Sequence, residues 1–155
     1  MSALYIGRTY FPTALKPEKL RRRARRLLKD IEFDTVVGTG YSGALALGIV
    51  ARTFNANMCI VRKPAELLGS HTTSLVEGHL GQKWLFVDDF IATGATFVRV
   101  AHAIAKFNDP KHPTSCVGAF TYEATAVGEG SYTALSELDQ YDRIREYHNR
   151  KAEAA

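Results

Sequence analysis

The stretch KWLFVDDFIATGAT at residues 83–96 joins an apolar run, two acids and a small, hydroxyl-bearing turn. The apolar run at 84–87 is short and rich in β-forming residues, which is typical of a buried strand in a parallel sheet. Asp88 and Asp89 follow this run directly. The turn at 93–96 comes next and leads into a segment compatible with a helix. The order predicts a strand, an acidic tip and a turn that opens a helix.

The turn at 93–96 has the chemistry of a phosphate site. The first turn of a helix presents unpaired N–H groups and the positive end of the helix dipole to an anion. Gly94 and Ala95 would let a phosphate approach the backbone, and the flanking Thr93 would add a hydroxyl donor. The preceding carboxylates would accept hydrogen bonds from vicinal sugar hydroxyls and help to hold a hydrated magnesium ion. These groups suit a ribose 5-phosphate; an ordinary capped strand-to-helix turn is the alternative.

The segment resembles the phosphoribosyl-diphosphate-binding motif of type I phosphoribosyltransferases, an apolar strand followed by two acids and a Thr-Gly-x-Thr turn. In that family the acids bind the ribose hydroxyls and the turn binds the 5-phosphate. The resemblance therefore implies ribose binding and catalysis for Asp88 and Asp89, with magnesium held indirectly through the ligand or water. The implied 5-phosphate site consists of Ala92, Thr93, Gly94, Ala95 and Thr96.

Length and composition favour one globular domain. The chain has 155 residues, 46% hydrophobic and 23% charged, which suits a single domain over residues 1–155. It has no basic-then-apolar leader and no apolar run long enough to span a bilayer, so we expect a cytoplasmic protein without membrane association. Cys59 and Cys116 lack the spacing of a metal site or a disulfide, and we expect buried free thiols.

Much of the net charge of +4 is concentrated in KLRRRARR at 19–26. Basic clusters can bind nucleic acid. Here apolar residues recur at helical spacing through a predicted helix at 17–30, which Pro17 would open. We therefore expect most of the arginines to occupy the solvated face of that helix. The apolar stripe consists of Leu20, Ala24, Leu27, Leu28 and Ile31.

A second glycine-rich segment, GTGYSG at 38–43, follows a predicted strand at 33–37 and opens a predicted helix. Taken alone, it matches the GxGxxG fingerprint of dinucleotide-dependent oxidoreductases. That class expects an acid at the end of the next strand, at 58–61, but Arg62 and Lys63 stand there. It also leaves the two acids and the phosphate turn unexplained.

The family resemblance uses both segments. Type I phosphoribosyltransferases bind diphosphate through backbone amides of a small glycine-rich loop after the first parallel strand, and GTGYSG resembles that loop. Thr39 and Gly40 are the implied contacts. Arg62 and Lys63 resemble the basic pair at the start of the family's flexible loop and would face the diphosphate, with Lys63 also implied in catalysis. The alternative for this pair is a solvated strand end.

Residues 64–82 have no clear period, and a connection of that length is typical of a lid or binding loop. In the family this region closes over the reaction centre. The resemblance makes His71 a candidate catalytic contact with the ligand. It makes Glu66 and Glu77 candidates for pairing with a base or with charge developing on the sugar. Ordinary solvated loop side chains are the alternative.

The remaining segments complete an α/β pattern. We expect a short edge strand at 3–11, a helix at 97–106, a strand at 115–122 and then an irregular excursion at 123–131. The tail at 134–151 has apolar residues at helical spacing that would pack on the domain or on a partner subunit. These residues are Leu135, Leu138, Tyr141, Ile144 and Tyr147.

Alternating strands and helices predict an α/β fold, a parallel sheet with helices on both faces and right-handed crossovers. The three candidate loops would then meet at one carboxyl edge. The resemblance implies a type I phosphoribosyltransferase (Rossmann-like) core with a flexible lid loop. It also implies a small or reduced substrate hood, because only residues 1–32 and 123–155 flank the core.

The implied activity is transfer of ribose 5-phosphate from phosphoribosyl diphosphate to a nitrogenous base, with Mg²⁺ and release of diphosphate, in a homodimer. The base stays open. Ala92 stands where members acting on 6-oxopurines carry an acid, and the ATGAT and RKP segments resemble the adenine type. The GTGYSG loop and the GSH of the lid resemble the orotate type. Two other classes remain: a non-catalytic regulator of this fold that binds nucleotide or RNA, and a dinucleotide-dependent oxidoreductase.

Overall fold

The computed structural model describes residues 14–64, 74–125 and 128–155, without the side chains of 124, 125, 128 and 129. The predicted edge strand at 3–11 lies outside these residues. The elements are α1 (Pro17–Leu28), β1 (Thr35–Gly38), α2 (Gly40–Phe54), β2 (Asn57–Val61), β3 (Val76–Gly78), β4 (Lys83–Asp88), α3 (Ala95–Ala105), β5 (Ser115–Thr125), β6 (Gly128–Ala134), a 3₁₀ helix (Leu135–Gln140) and α4 (Asp142–Ala154).

The strands form one six-stranded sheet in the order β3-β2-β1-β4-β5-β6. Its four inner strands are parallel, since β1 pairs with β2 and β4, and β4 pairs with β5. The edge strands β3 and β6 run antiparallel to their neighbours. Because the inner strands run in one direction, the loops that leave them emerge at one carboxyl edge. The predicted parallel α/β core is confirmed.

Strand β4 explains why the apolar run at 84–87 has no polar alternation. Successive side chains point to opposite faces of a sheet. Trp84 and Phe86 lie in the core beneath α3 and α4, whereas Leu85 and Val87 lie in the core beneath α1 and α2. Helices cover both faces, so every position of the run is buried.

The lid prediction was wrong in one respect. Val76–Gly78, within the predicted loop at 64–82, forms β3 and pairs with β2. Gly78 allows the close approach, because its φ is 123° and a Cβ there would lie 2.1 Å from the carbonyl oxygen of Met58. Residues 65–73 of the predicted lid lie outside the described residues.

The predicted excursion at 123–131 was also wrong. β5 continues to Thr125 and pairs antiparallel with β6. The ladder shifts register between Thr121 and Ala124, and Gly130 has a φ of 80°. Its missing Cβ would lie 2.5 Å from the Thr121 carbonyl oxygen. The glycines that suggested a loop belong to an irregular strand pair.

Of the two predicted alternatives, a domain or a partner subunit, the tail packs on the domain, on the face of the sheet that α3 covers. The 3₁₀ helix ends at Gln140 and α4 begins at Asp142, with Tyr141 in an extended conformation between them. The predicted apolar residues all lie in or against one core: Leu138, Ile144 and Tyr147 are buried, and Leu135 and Tyr141 pack beside them. The interruption turns the chain without exposing its apolar side.

Helix α1 buries its predicted stripe, and it also buries one arginine. Leu20, Ala24 and Leu28 are fully buried. Arg23 is only 4% exposed, and its Nη1 donates to the carbonyl oxygen of Tyr122 in β5 at 2.6 Å. This cation therefore ties α1 to the sheet, while most of its basic neighbours lie at the surface.

Two other expectations concern thiols and membranes. Both cysteines are free; Cys59 is buried and Cys116 is partly buried.

In the described ranges, every α-helix is too short or too polar to cross a lipid bilayer.

Candidate active site

Three predicted motifs lie at the carboxyl edge of the sheet. Asp88 ends β4, Thr39 follows β1 and Arg62 follows β2. Arg99 of α3 connects two of these loops. Its Nη2 donates to Thr39 Oγ1 at 2.9 Å, and its Nη1 donates to the Arg62 carbonyl oxygen at 3.3 Å. Residues far apart in sequence thus form one connected edge.

The acidic pair is held by backbone contacts at the strand end. The amide of Asp89 donates to Asp88 Oδ1 at 2.9 Å, and the amide of Phe90 donates to Asp89 Oδ1 at 2.7 Å. The Asp89 carbonyl oxygen accepts a bond from the Glu123 amide at 2.9 Å, which fixes this tip to β5. Burial, followed by the charge of Asp89, raises the pKa of Asp88 to about 7, and the nearby Arg99 opposes the rise.

The raised pKa of Asp88 predicts that folding stability depends on pH. The unfolded chain ionises this carboxyl near 3.8, whereas the folded chain keeps its proton to about 7. Between these values the folded state binds more protons, so the free energy of unfolding falls as pH rises, and the loss is complete above about 7. Asp88→Asn should therefore gain about 1–2 kcal/mol over wild type at pH 8, after a discount for partial solvent exposure, and little at pH 4.

Urea unfolding of both proteins at pH 4 and pH 8 measures this difference. Asp30→Asn, at an exposed position in the turn after α1, is the control and should show no such pH dependence. An equal gain for Asp88→Asn at both pH values would contradict the assignment of the raised pKa to Asp88.

The predicted phosphate turn opens α3. Gly94 adopts a left-handed conformation with φ 87°, and the helix begins at Ala95. The amide of Ala95 donates weakly to Thr93 Oγ1 at 3.4 Å. Amides in the first turn of a helix have no carbonyl partner one turn earlier, so they remain suited to an anion. Ala92, Thr93, Ala95 and Thr96 are exposed, and Gly94 is buried.

Helix α4 braces this turn from the protein side. The amide of Arg143 donates to the Thr93 carbonyl oxygen at 3.2 Å. A Cβ on Gly94 would lie 2.5 Å from Ile144 Cγ1 and 3.3 Å from Tyr141 Cβ. Gly94 is thus required both by its conformation and by the approach of the tail. The sequence motif gave no sign of this second requirement.

The glycine-rich loop begins with a buried threonine and a glycine in a left-handed conformation. Thr39 is 7% exposed and extended, and Gly40 begins α2 with φ 75°. A Cβ on Gly40 would meet no atom within 4 Å, so the backbone conformation is what favours glycine there. The open space beside Gly40 leaves room for a ligand to approach the backbone.

The basic pair differs from the prediction in its partners. Arg62 forms an ion pair with Glu77 of β3, and its amide donates to the Leu75 carbonyl oxygen at 2.8 Å. Lys63 is exposed. Glu77 pairs with Arg62, and its predicted pairing with a base or with the sugar stays a prediction. The predicted catalytic residues Glu66 and His71 lie outside the described residues.

Sequence reasoning missed two residues at this edge. Arg99 lies in the second turn of α3. The pattern that predicts this helix consists of apolar residues and does not indicate a function for a charged one. Glu123 follows the apolar run of β5, and its Oε2 is buried without a hydrogen-bond partner among the described residues. An acid at the end of a parallel strand was the available signal for Glu123; Arg99 had no local signal.

Comparison of the sequence with known proteins finds similar phosphoribosyltransferases. No family model matches the chain. An adenine phosphoribosyltransferase from Chlorobaculum parvum is 32% identical, and the match covers 52% of this chain and 53% of that protein. A second adenine phosphoribosyltransferase, from Chlorobaculum tepidum, is 31% identical with the same coverage. Over about half of its length, the chain is therefore similar in sequence to adenine phosphoribosyltransferases.

Solved phosphoribosyltransferases share the fold. An adenine phosphoribosyltransferase from Thermoanaerobacter pseudethanolicus has a TM-score of 0.52 and 17% identity, covering 73% of each chain. An orotate phosphoribosyltransferase from Mycobacterium tuberculosis, in complex with phosphoribosyl diphosphate, has a TM-score of 0.50 and 20% identity. That match covers 72% of this chain and 63% of the other. At these identities the likeness concerns the fold, and it confirms the predicted phosphoribosyltransferase core.

The sequence match has a limited extent. The chain spans about half the length of the curated phosphoribosyltransferases it matches. The site roles of individual residues remain predictions, because the similarity does not test them. Neither the RNA-binding regulator nor the oxidoreductase gains support from these relatives.

The acidic pair suits Mg²⁺, but only with help from a ligand. Among the described residues, no group of three or more His, Cys, Asp or Glu side chains could hold a metal ion. Asp88 and Asp89 offer the hard oxygen donors that Mg²⁺ prefers. The pKa of Asp88 is raised partly by the charge of Asp89, so a cation near the pair would relieve this repulsion. These residues fit the predicted indirect metal site.

Proposed function

We propose that this protein is a phosphoribosyltransferase that transfers ribose 5-phosphate from phosphoribosyl diphosphate to a nitrogenous base and releases diphosphate. One observation carries the proposal: the acidic pair, the phosphate turn and the glycine-rich loop all lie at the carboxyl edge of one parallel sheet. Ligands of open α/β sheets bind at this edge. The arrangement offers separate partners for the three parts of one donor molecule.

The donor is assigned to these groups in order along the edge. The 5-phosphate binds the turn at 93–96, through the first amides of α3 and the Thr93 and Thr96 hydroxyls. The vicinal ribose hydroxyls donate to Asp88 and Asp89. The diphosphate binds the glycine-rich loop and the basic pair, with contacts from Thr39, Gly40, Arg62 and Lys63.

In this reaction the protein mainly orients the donor and the base and stabilises the charge that develops. A ring nitrogen of the base attacks the anomeric carbon, the bond from that carbon to the diphosphate oxygen breaks, and its electron pair leaves with diphosphate. The proton of the attacking nitrogen passes to solvent or to the departing diphosphate. Asp88 and Asp89 would hold Mg²⁺ through the donor or water, and the ion would supply neutralisation of charge on this leaving group. Fixed backbone amides and cations stabilise the same charge without reorganising during the reaction. Positive charge that develops on the sugar lies near the carboxylates.

Asp88 links this reaction to pH. Its protonated form cannot offer both oxygens to the ribose hydroxyls or attract a cation fully. Hydroxyl donors and a cation stabilise the ionised carboxyl, so donor binding favours loss of the proton that Asp88, with its pKa of about 7, otherwise keeps. The affinity for the magnesium complex of the donor should rise with pH through this range.

Several finer assignments belong to the same proposal. They are Mg²⁺ as the metal, a nucleobase as the acceptor, a homodimer as the active form, a cytoplasmic location and one domain over residues 1–155. Catalytic contributions from Lys63, Glu66 and His71 are proposed on the family resemblance. The acceptor base stays open, although adenine is the first to test, because the curated relatives are adenine phosphoribosyltransferases.

The test is release of diphosphate during incubation with phosphoribosyl diphosphate, Mg²⁺ and a panel of bases that includes adenine and orotate. We expect release that requires one base and forms the matching nucleotide in equal amount. A reaction without base measures hydrolysis of the donor and serves as the control. If no base supports release above this control, the enzyme proposal is wrong.

A further inference from the structure

Arg99 reaches from α3 to the ends of two strands. One guanidinium nitrogen donates to the Thr39 hydroxyl at 2.9 Å and the other terminal nitrogen donates to the Arg62 carbonyl oxygen at 3.3 Å. The two acceptors follow β1 and β2, which are neighbours in the sheet. A planar fork makes two such bonds in one fixed geometry, which a flexible ammonium group cannot reproduce.

The same guanidinium also acts on the acidic pair. Its charge lowers the pKa of Asp88 against the effects of burial and of Asp89. Arg99 is half-buried, so this interaction is screened less than one at the surface. The residue therefore contacts the proposed diphosphate loops and influences the proposed ribose acids.

The hydrogen bonds that involve described residues occupy two of the five N–H groups of Arg99. Its acceptors are the residues on either side of the proposed diphosphate site. The Thr39 hydroxyl accepts from Arg99, so its own hydrogen stays available to donate to a ligand.

We propose that Arg99 is a positioning residue of the donor site, which fixes the loops after β1 and β2 beside Asp88 so that diphosphate and ribose bind as one unit. The proposal rests on the proposed function. It adds a residue outside the three sequence motifs. It also predicts that loss of Arg99 affects both ends of the donor.

Two readouts separate this role from a purely structural one. The first is the affinity for phosphoribosyl diphosphate with Mg²⁺, measured by calorimetry between pH 5.5 and 8.5. The second is hydrogen exchange of the backbone amides in the loops after β1 and β2 of the ligand-free protein, which does not depend on the proposed activity. Arg99→Met removes the charge and the fork, whereas Arg99→Lys keeps only the charge. Lys106→Met, at the exposed end of the same helix, is the matched control.

We expect Arg99→Met to weaken donor binding at least about tenfold and to speed exchange in the loops after β1 and β2. Arg99→Lys should cause smaller changes of the same kind, and it keeps the test usable if Arg99→Met does not fold. Lys106→Met should change neither quantity. Wild-type affinity and unchanged exchange in both Arg99 variants would overturn the proposal. If wild-type protein does not bind the donor while Arg99→Met still speeds exchange in both loops, the proposed function fails and the positioning of the loops by Arg99 stands.

Discussion

Asp88→Asn combined with Asp89→Asn is expected to weaken binding of phosphoribosyl diphosphate by a factor of at least about 100. Each carboxylate can accept a charge-assisted hydrogen bond from a ribose hydroxyl, worth about 1.5–3 kcal/mol, and an amide accepts a weaker one. The substitution also removes the charge that would attract Mg²⁺. Calorimetry with the magnesium complex of the donor measures the loss.

The fold of this double variant should remain intact. Asparagine matches aspartate in size, and the substitution relieves the repulsion that raises the pKa of Asp88. Urea unfolding at pH 8 should show stability equal to or above that of wild type. Asp109→Asn, at an exposed position beyond α3, is the control for loss of one carboxylate and should leave binding unchanged. Unchanged donor affinity in the double variant would count against the ribose assignment.

Gly94→Ala is the second change with a large expected effect. A non-glycine residue at φ 87° is strained, and the added Cβ would lie 2.5 Å from Ile144 Cγ1 in a fully buried contact. Together these effects should lower the free energy of unfolding by about 2–4 kcal/mol, and relaxation of α4 should move the phosphate turn. We expect donor affinity to fall together with stability, because α4 contacts the phosphate turn and any shift of α4 would move that turn.

Gly48→Ala provides a matched control. Gly48 is an exposed glycine inside α2, and a Cβ there would meet no atom within 4 Å. Alanine should stabilise that helix by about 0.5–1 kcal/mol. Urea unfolding compares both variants with wild type. Equal stability of Gly94→Ala and wild type would show that α4 does not constrain the turn.

The central motif could be predicted because its information is local. A buried strand, two acids and a turn at a helix start each have a signature within 14 residues, from Lys83 to Thr96. Parallel pairing then follows from the alternation of strands and helices, which brings separate loops to one edge. The same reasoning identified the loop after β1.

The missed features depend on contacts between distant residues. β3 has only three residues, and its pairing with β2 rests on the conformation of Gly78 rather than on an apolar pattern. β6 contains glycines that predict a loop unless the irregular pairing with β5 is known. Arg99 and Ile144 lie in helices that the sequence predicts, but their contacts with the site depend on where the packed helices place them. These are the residues that connect the motifs to one another and to the core.

The most direct test of the account is a crystal structure of the protein soaked with phosphoribosyl diphosphate and Mg²⁺. We expect one donor molecule along the carboxyl edge, with its 5-phosphate on the turn at 93–96 and its ribose hydroxyls on Asp88 and Asp89. Its diphosphate should lie between Thr39 and Arg62, with Arg99 behind it. Donor bound away from Asp88 and Asp89, or an empty edge at saturating donor, would contradict the account.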